Sequence, residues 1–144
     1  MVISNKRNQT DLIELNDSNQ SFELIDLNII GNELSKNKYD ILVFYSDYNL
    51  TINQSILYGY LNCLKINRFE GTVGTLKIPG GAFELPLLTS KIIRKYSPKL
   101  CLVVGCIIKG ETQHYEFLSS TVTNAIRNVS FENNIPILLS LIHI

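Results

Sequence analysis

The chain is 144 residues long, enough for one domain with a hydrophobic core of its own. Its 13 basic and 13 acidic side chains cancel, so no face is forced to be strongly basic, which argues against a nucleic-acid partner. The opening MVISNKRNQTDLIEL lacks the continuous apolar core of a secretion signal, and no apolar run is long enough to span a bilayer.

The three cysteines are Cys63, Cys101 and Cys106, with no C-x-x-C spacing, and the only histidines are His114 and His143. No metal site is expected from that set, and free thiols fit a reducing cytosol, so the expected location is cytoplasmic. Cys101 and Cys106 lie an odd number of positions apart on one presumed strand. Their side chains should point to opposite faces and not pair.

Taken in order, residues 1–27 are mostly polar and read as a poorly ordered extension, with a short helix or strand at Phe22–Leu27. From Asp40 the texture changes, and Ile41–Tyr45 is a short apolar run, a buried strand. Thr51–Asn67 carries Ile52, Ile56, Leu57, Tyr60, Leu61 and Leu64 at helical spacing. Gly71–Ile78 reads as a strand that ends at Pro79-Gly80-Gly81. Glu84–Lys95 reads as a helix with Pro86 in its first turn, where a missing N–H costs little. Leu100–Ile108 is the next strand, Gln113–Asn133 the next helix, and Ile135–Ile144 a final apolar run.

Strands that alternate with helices imply parallel pairing, right-handed crossovers and helices on both faces of the sheet. Ligands in such sheets bind beyond the carboxyl ends of the strands. Three loops should meet there: Ser46–Asn49, Pro79–Glu84 and Lys109–His114. The last of these is the most informative. A Gly110-Glu111-Thr112 turn leads from a strand into a helix that begins near Gln113 and brings His114 to the junction. Free amides at a helix N-terminus attract phosphate, and an imidazole can exchange protons near neutral pH. Taken singly, these residues have simpler roles. His114 serves as a helix-end histidine, Tyr48 as a loop aromatic over the core, Glu84 as a first-turn carboxylate facing the helix dipole, and Cys106 as packing. Lys109 is most simply a solvated charge. Convergence of their loops on one sheet edge favours a site.

The segments Ile78–Pro86 (IPGGAFELP) and Gly105–Phe117 (GCIIKGETQHYEF), with Val43–Asn49 (VFYSDYN) upstream, resemble the 6,7-dimethyl-8-ribityllumazine synthase family of riboflavin biosynthesis. The likeness runs in collinear order from about Asn28 to Leu138, and GETQHYEF is its most specific block. It implies a three-layer α/β/α flavodoxin-like sandwich with a mainly parallel central sheet. It also implies a transferase that condenses 5-amino-6-(D-ribitylamino)uracil with 3,4-dihydroxy-2-butanone 4-phosphate, releasing phosphate and water, with no metal or organic cofactor. By the resemblance, Tyr48 stacks on the pyrimidine ring. Ala82, Phe83 and Glu84 hold the ribityl chain. The backbone of Cys106, Ile107 and Ile108 reads the pyrimidine edge, Glu111 and Thr112 cradle phosphate, and His114 transfers protons. The expected partners are these small substrates and further copies of the chain, as a pentamer or a pentamer-based shell. Two rivals keep the scaffold: a non-catalytic shell protein and a related riboflavin-pathway enzyme.

The chain departs from the family pattern in three places. The glycine loop carries one Gly more, the N-terminal extension is long, and the chain stops inside the last strand, ahead of the family's remaining phosphate-binding cations. The ending Leu139–Ile144 (LSLIHI) is what CTGTCTCTTATACACATC encodes, a transposase-end sequence used in sequencing libraries. The expected organisation is therefore a polar extension at 1–27, an incomplete domain at 28–138 and an adapter-encoded tail at 139–144, in which His143 has no function.

Overall fold

The computed structural model describes residues 20–27 and 38–144. The apolar runs in these residues form strands β1 (Phe22–Asp26), β2 (Ile41–Ser46), β3 (Gly71–Ile78), β4 (Leu100–Ile107) and β5 (Ile137–His143). Between them lie helices α1 (Leu50–Ile66), α2 (Leu85–Tyr96) and α3 (His114–Asn133), with a 3-10 turn at Ala82–Glu84 just before α2. The strands form one sheet in the order β1-β3-β2-β4-β5, and every neighbouring pair is parallel.

That order explains the layers. From β2 the chain steps to β3 on one side, then crosses back over β2 to β4 and on to β5. Right-handed crossovers in opposite directions must put their helices on opposite faces. Accordingly α1 packs Leu57 and Leu61 on the face carrying Val43, Tyr45, Leu102 and Val104. Helices α2 and α3 pack Leu85, Ile93, Val122, Ile126 and Val129 on the face carrying Leu42, Phe44, Cys101 and Val103. Covered on both faces, β2 is buried throughout, and β4 is buried from Cys101 onward. Such strands read as continuous apolar runs rather than alternating ones.

Each helix shows the spacing that its buried face demands. The buried residues are Asn53, Gln54, Leu57 and Leu61 in α1, Leu85, Thr89 and Ile93 in α2, and Val122, Ile126 and Val129 in α3. Left-handed residues at Ser97 (φ 44°) and Asn134 (φ 52°) end α2 and α3.

Two boundaries differ from the sequence reading. Phe22–Asp26 is strand β1, paired to Gly71–Thr75, so the sheet begins upstream of Asn28; residues 1–19 lie outside the described residues. Glu84 belongs to the 3-10 turn rather than to α2, because its carboxylate folds back onto the Gly81 N–H at 2.7 Å. At the other end, residues Leu139–His143 pair with Val103–Ile107 as part of β5. The side chains of Leu139 and Leu141 pack against the core beneath α2 and α3.

Asp40 aligns the strand starts. Its carbonyl accepts from the N–H groups of Lys99 (3.0 Å) and Leu100 (3.1 Å), and its own N–H donates to the Thr72 carbonyl at 2.9 Å. Its carboxylate accepts from the Thr72 N–H at 2.9 Å and pairs with Lys99 Nζ at 2.7 Å. One residue thus joins β2 to the first residues of both β3 and β4. The Lys99 ammonium, and next the Thr72 N–H, hold its carboxyl below the usual carboxylate range.

A carboxyl acidified by folding adds stability above its unfolded pKa and loses that stability as pH falls through its folded pKa. Asp40→Asn should therefore cost about 1 kcal/mol near neutral pH, since Lys99 is exposed and the pair is screened. The gap to the parent chain should close below about pH 4. Urea unfolding across pH checks this, and a gap that stays constant into acid contradicts it.

Candidate active site

Helices α1 and α3 leave opposite faces of the sheet from the adjacent strands β2 and β4, so the loops beyond these strands diverge and open a crevice. A cavity of about 360 Å³ lies there. Its lining comes from Tyr48 after β2, from Gly81, Ala82 and Phe83 after β3, and from the end of β4 and the turn beyond it: Cys106, Ile107, Ile108, Gly110 and Thr112. His114, Tyr115 and Leu118 from the start of α3 close the far side.

Hydrogen bonds fasten the loops to one another. The Asp47 N–H donates to the Ile78 carbonyl at 2.8 Å, and the Tyr48 N–H donates to the Gly80 carbonyl at 3.0 Å. Asn49, in the left-handed region at φ 57°, donates from Nδ2 to Cys106 Sγ at 3.7 Å. The loop after β2 is thereby tied to its neighbours on both sides. The Tyr48 ring is left half-exposed over the cavity, with Phe83 and Ile108 also exposed at its mouth.

The double glycine has a defined cause. Gly80 sits at φ 97°, and a Cβ there would come within 2.8 Å of Glu84 Oε2. At Gly81 the same atom is 3.8 Å away, an ordinary contact. Only Gly80 is therefore obligatory; it lets the Glu84 carboxylate reach Gly81 and cap the 3-10 turn.

On the opposite wall, the turn from Ile108 to Gln113 delivers the chain into α3. Its N-cap residue, Gln113, makes no side-chain cap hydrogen bond, and its first turn carries one acidic residue, Glu116. Thr112 and His114 stand exposed at this end, and Lys109 Nζ lies 5.3 Å from the centre of the Tyr115 ring. Uncapped amides, a hydroxyl and an imidazole together can hold an oxyanion and move protons beside it.

Of the site residues expected from sequence, Tyr48, Ala82, Phe83, Cys106, Ile107, Ile108, Thr112 and His114 all line this cavity. Glu84 and Glu111 do not; one oxygen of Glu84 is engaged by the Gly81 amide. Gly81 and Gly110 lie in the loops expected there, whereas sequence reasoning did not single out Tyr115 and Leu118. The last could have been found from spacing, since Leu118 lies one helical turn beyond His114 on the same face. His143, expected to have no function, touches α3, with Nε2 2.8 Å from Ser119 Oγ and its ring centre 6.2 Å from that of the lining residue Tyr115.

The thiols are free and sit in different surroundings: Cys63 exposed, Cys101 and Cys106 buried. Burial pushes the Cys101 thiol up to about 12. Burial also raises the Cys106 thiol, while the Asn49 amide beside it pulls the other way. Cys106 therefore faces the cavity as a neutral thiol at pH 7, and a thiol reacts only through its thiolate. Alkylation at neutral pH should label Cys63 first, Cys106 far more slowly and Cys101 only on unfolding. Peptide mass spectrometry checks the order, and Cys106 labelled ahead of Cys63 contradicts it.

Comparison with known proteins agrees with this geometry. Residues 38–144 match the family model described as 6,7-dimethyl-8-ribityllumazine synthase. A protein of that name from Buchnera aphidicola subsp. Baizongia pistaciae is 37% identical over 112 residues, covering 75% of this chain and 69% of the relative. One from Prochlorococcus marinus strain MIT 9312 is 31% identical over 117 residues, covering 78% and 73%. One from Clostridium kluyveri is 35% identical over 107 residues, covering 73% and 67%. With a five-stranded parallel sheet, helices on both faces and a cavity at the switch of strand order, this chain belongs to the 6,7-dimethyl-8-ribityllumazine synthase family.

Proposed function

We propose that the chain condenses 5-amino-6-(D-ribitylamino)uracil with 3,4-dihydroxy-2-butanone 4-phosphate in the cavity between Tyr48 and His114. The observation that carries this reading is the shared lining of one cavity by an aromatic ring, the end of β4 and the uncapped start of α3. A flat heterocycle, a polyol and a phosphate each find matching chemistry there.

In this reading the pyrimidine lies against Tyr48, with its polar edge toward the main chain of Cys106, Ile107 and Ile108. The ribityl chain runs toward Ala82 and Phe83, where the free oxygen of Glu84 accepts from its hydroxyls. Phosphate rests on Thr112 and the first-turn amides of α3, with Glu111 beside it. The arylamine adds to the ketone and water leaves. Phosphate is then eliminated, and the second amine closes the ring with loss of water. Each step moves a proton, and His114 is the group placed to move it; such help is worth roughly 10²–10⁴-fold. Holding both substrates in register supplies much of the remainder.

Homo-oligomeric assembly as a pentamer or a shell built from pentamers, and a cytosolic location, belong to the same proposal. So does the origin of Leu139–Ile144 in a sequencing adapter; reading the source locus tests it, and a natural stop codon directly after Ile144 would contradict it. Among the described residues no helix is long and apolar enough to cross a membrane, and no group of acidic, His and Cys side chains could hold a metal ion.

Incubating both substrates with the purified protein should produce the lumazine chromophore. His114→Ala should lower kcat by about 10²-fold or more while KM for either substrate changes little. Unchanged kcat would remove His114 from the chemistry. Thr112→Val should raise KM for the butanone phosphate by about tenfold and leave that for the ribitylaminouracil nearly unchanged. Equal losses for both substrates would remove Thr112 from the phosphate site.

A further inference from the structure

Beneath the Tyr48 loop, one polar side chain is buried without trace of solvent contact. Asn53, in the first turns of α1, is 0% exposed. Its Nδ2 donates to the Ser46 carbonyl at 2.8 Å and to the Tyr48 carbonyl at 2.9 Å, with Ser46 Oγ at 3.3 Å. Ser46 Oγ itself donates to the Tyr48 carbonyl at 3.2 Å. The acceptors around Nδ2 settle the orientation of the amide, because a flipped Asn53 would point its oxygen at carbonyl oxygens.

This placement has a cost. Asn53 Oδ1 is buried and accepts no hydrogen bond, and a buried unmatched acceptor destabilises a fold. An apolar side chain on this face of α1, in line with Leu57 and Leu61, would avoid that cost. The amide therefore makes physical sense through what its N–H groups hold, namely the last residue of β2 and the main chain of Tyr48. From there further ties of the loop run outward: the Asp47 N–H to Ile78, the Tyr48 N–H to Gly80 and the Asn49 amide to Cys106.

We propose that Asn53 is a positioning residue that fixes the Tyr48 ring over the cavity, and so sets affinity for the heterocyclic substrate and not for the phosphorylated one. This rests on the reading of Tyr48 as the ring-stacking residue. Asn53 touches no substrate; it acts by holding the Tyr48 main chain at the height at which the ring meets a ligand.

The test compares Asn53→Leu, Tyr48→Ala and the double variant, measuring KM for each substrate separately. Asn53→Leu should raise KM for the ribitylaminouracil by about tenfold, within the range of losing one stacking contact. KM for the butanone phosphate should stay within about twofold. The double variant should be no worse than Tyr48→Ala alone, since both changes remove one function. Equal effects on both substrates, or additive effects in the double variant, would overturn the proposal in favour of a purely structural role. If Tyr48→Ala raises KM but Asn53→Leu does not, the positioning role fails while the reading of Tyr48 stands. If Tyr48→Ala leaves KM unchanged, the stacking reading fails and this inference falls with it. Should Asn53→Leu not fold, Asn53→Ser, which keeps one donor, carries the same comparison with a smaller shift in the same direction.

Discussion

The fold depends first on the alignment of its central parallel strands, and Asp40 is where that alignment is made. Parallel strands have no tight hairpin to set their register. Here β2 is levelled against β3 and β4 by a residue that bonds both neighbours through its main chain and binds Thr72 and Lys99 through its carboxylate. Sliding any of these strands would turn buried side chains such as Val43, Val73 or Val103 toward the wrong helix layer. Level starts produce level ends, and the loops that build the cavity leave from those ends.

At the far edge the same logic continues in the loops. Tyr48 and Gly80 come from different connections and Cys106 from the end of β4, yet main-chain and amide contacts of the Tyr48–Asn49 loop join them. The cavity is consequently built largely from strand ends and backbone, with few ionisable side chains in its lining. A neutral thiol at Cys106 suits that environment, because a thiolate there would repel a phosphate or a developing oxyanion. The first turn of α3, left without a side-chain cap, supplies favourable dipole and donors where an anion would sit.

Much of the architecture was legible from residue pattern. The apolar runs at Ile41–Tyr45 and Leu100–Ile108 read as buried strands and are strands, the second ending at Ile107, and the helices declared themselves by spacing. Strand β1 was hard to read because it is an edge strand, more exposed on average than β2 and lacking a continuous apolar run. The cavity was legible in its lining residues Tyr48, Thr112 and His114, which the sequence reading had brought to one sheet edge. It was less legible where geometry decides. Glu84 looks like a free carboxylate in the sequence, yet one of its oxygens is bound to the Gly81 amide. The importance of Asn53 depends on three acceptors brought to it by folding, and no local motif announces them. The two adjacent glycines look equivalent in sequence, and only φ and the position of Glu84 separate them.

The central claim is that three loops, levelled by strand register, form one site for a heterocycle and a phosphate. A crystal structure of the protein with 6,7-dimethyl-8-ribityllumazine and inorganic phosphate tests it most directly. The account predicts the ring system against Tyr48 and the Cys106–Ile108 main chain, with phosphate at Thr112 and the first turn of α3. A ligand bound elsewhere, or phosphate absent from the start of α3 at saturating concentration, would contradict it.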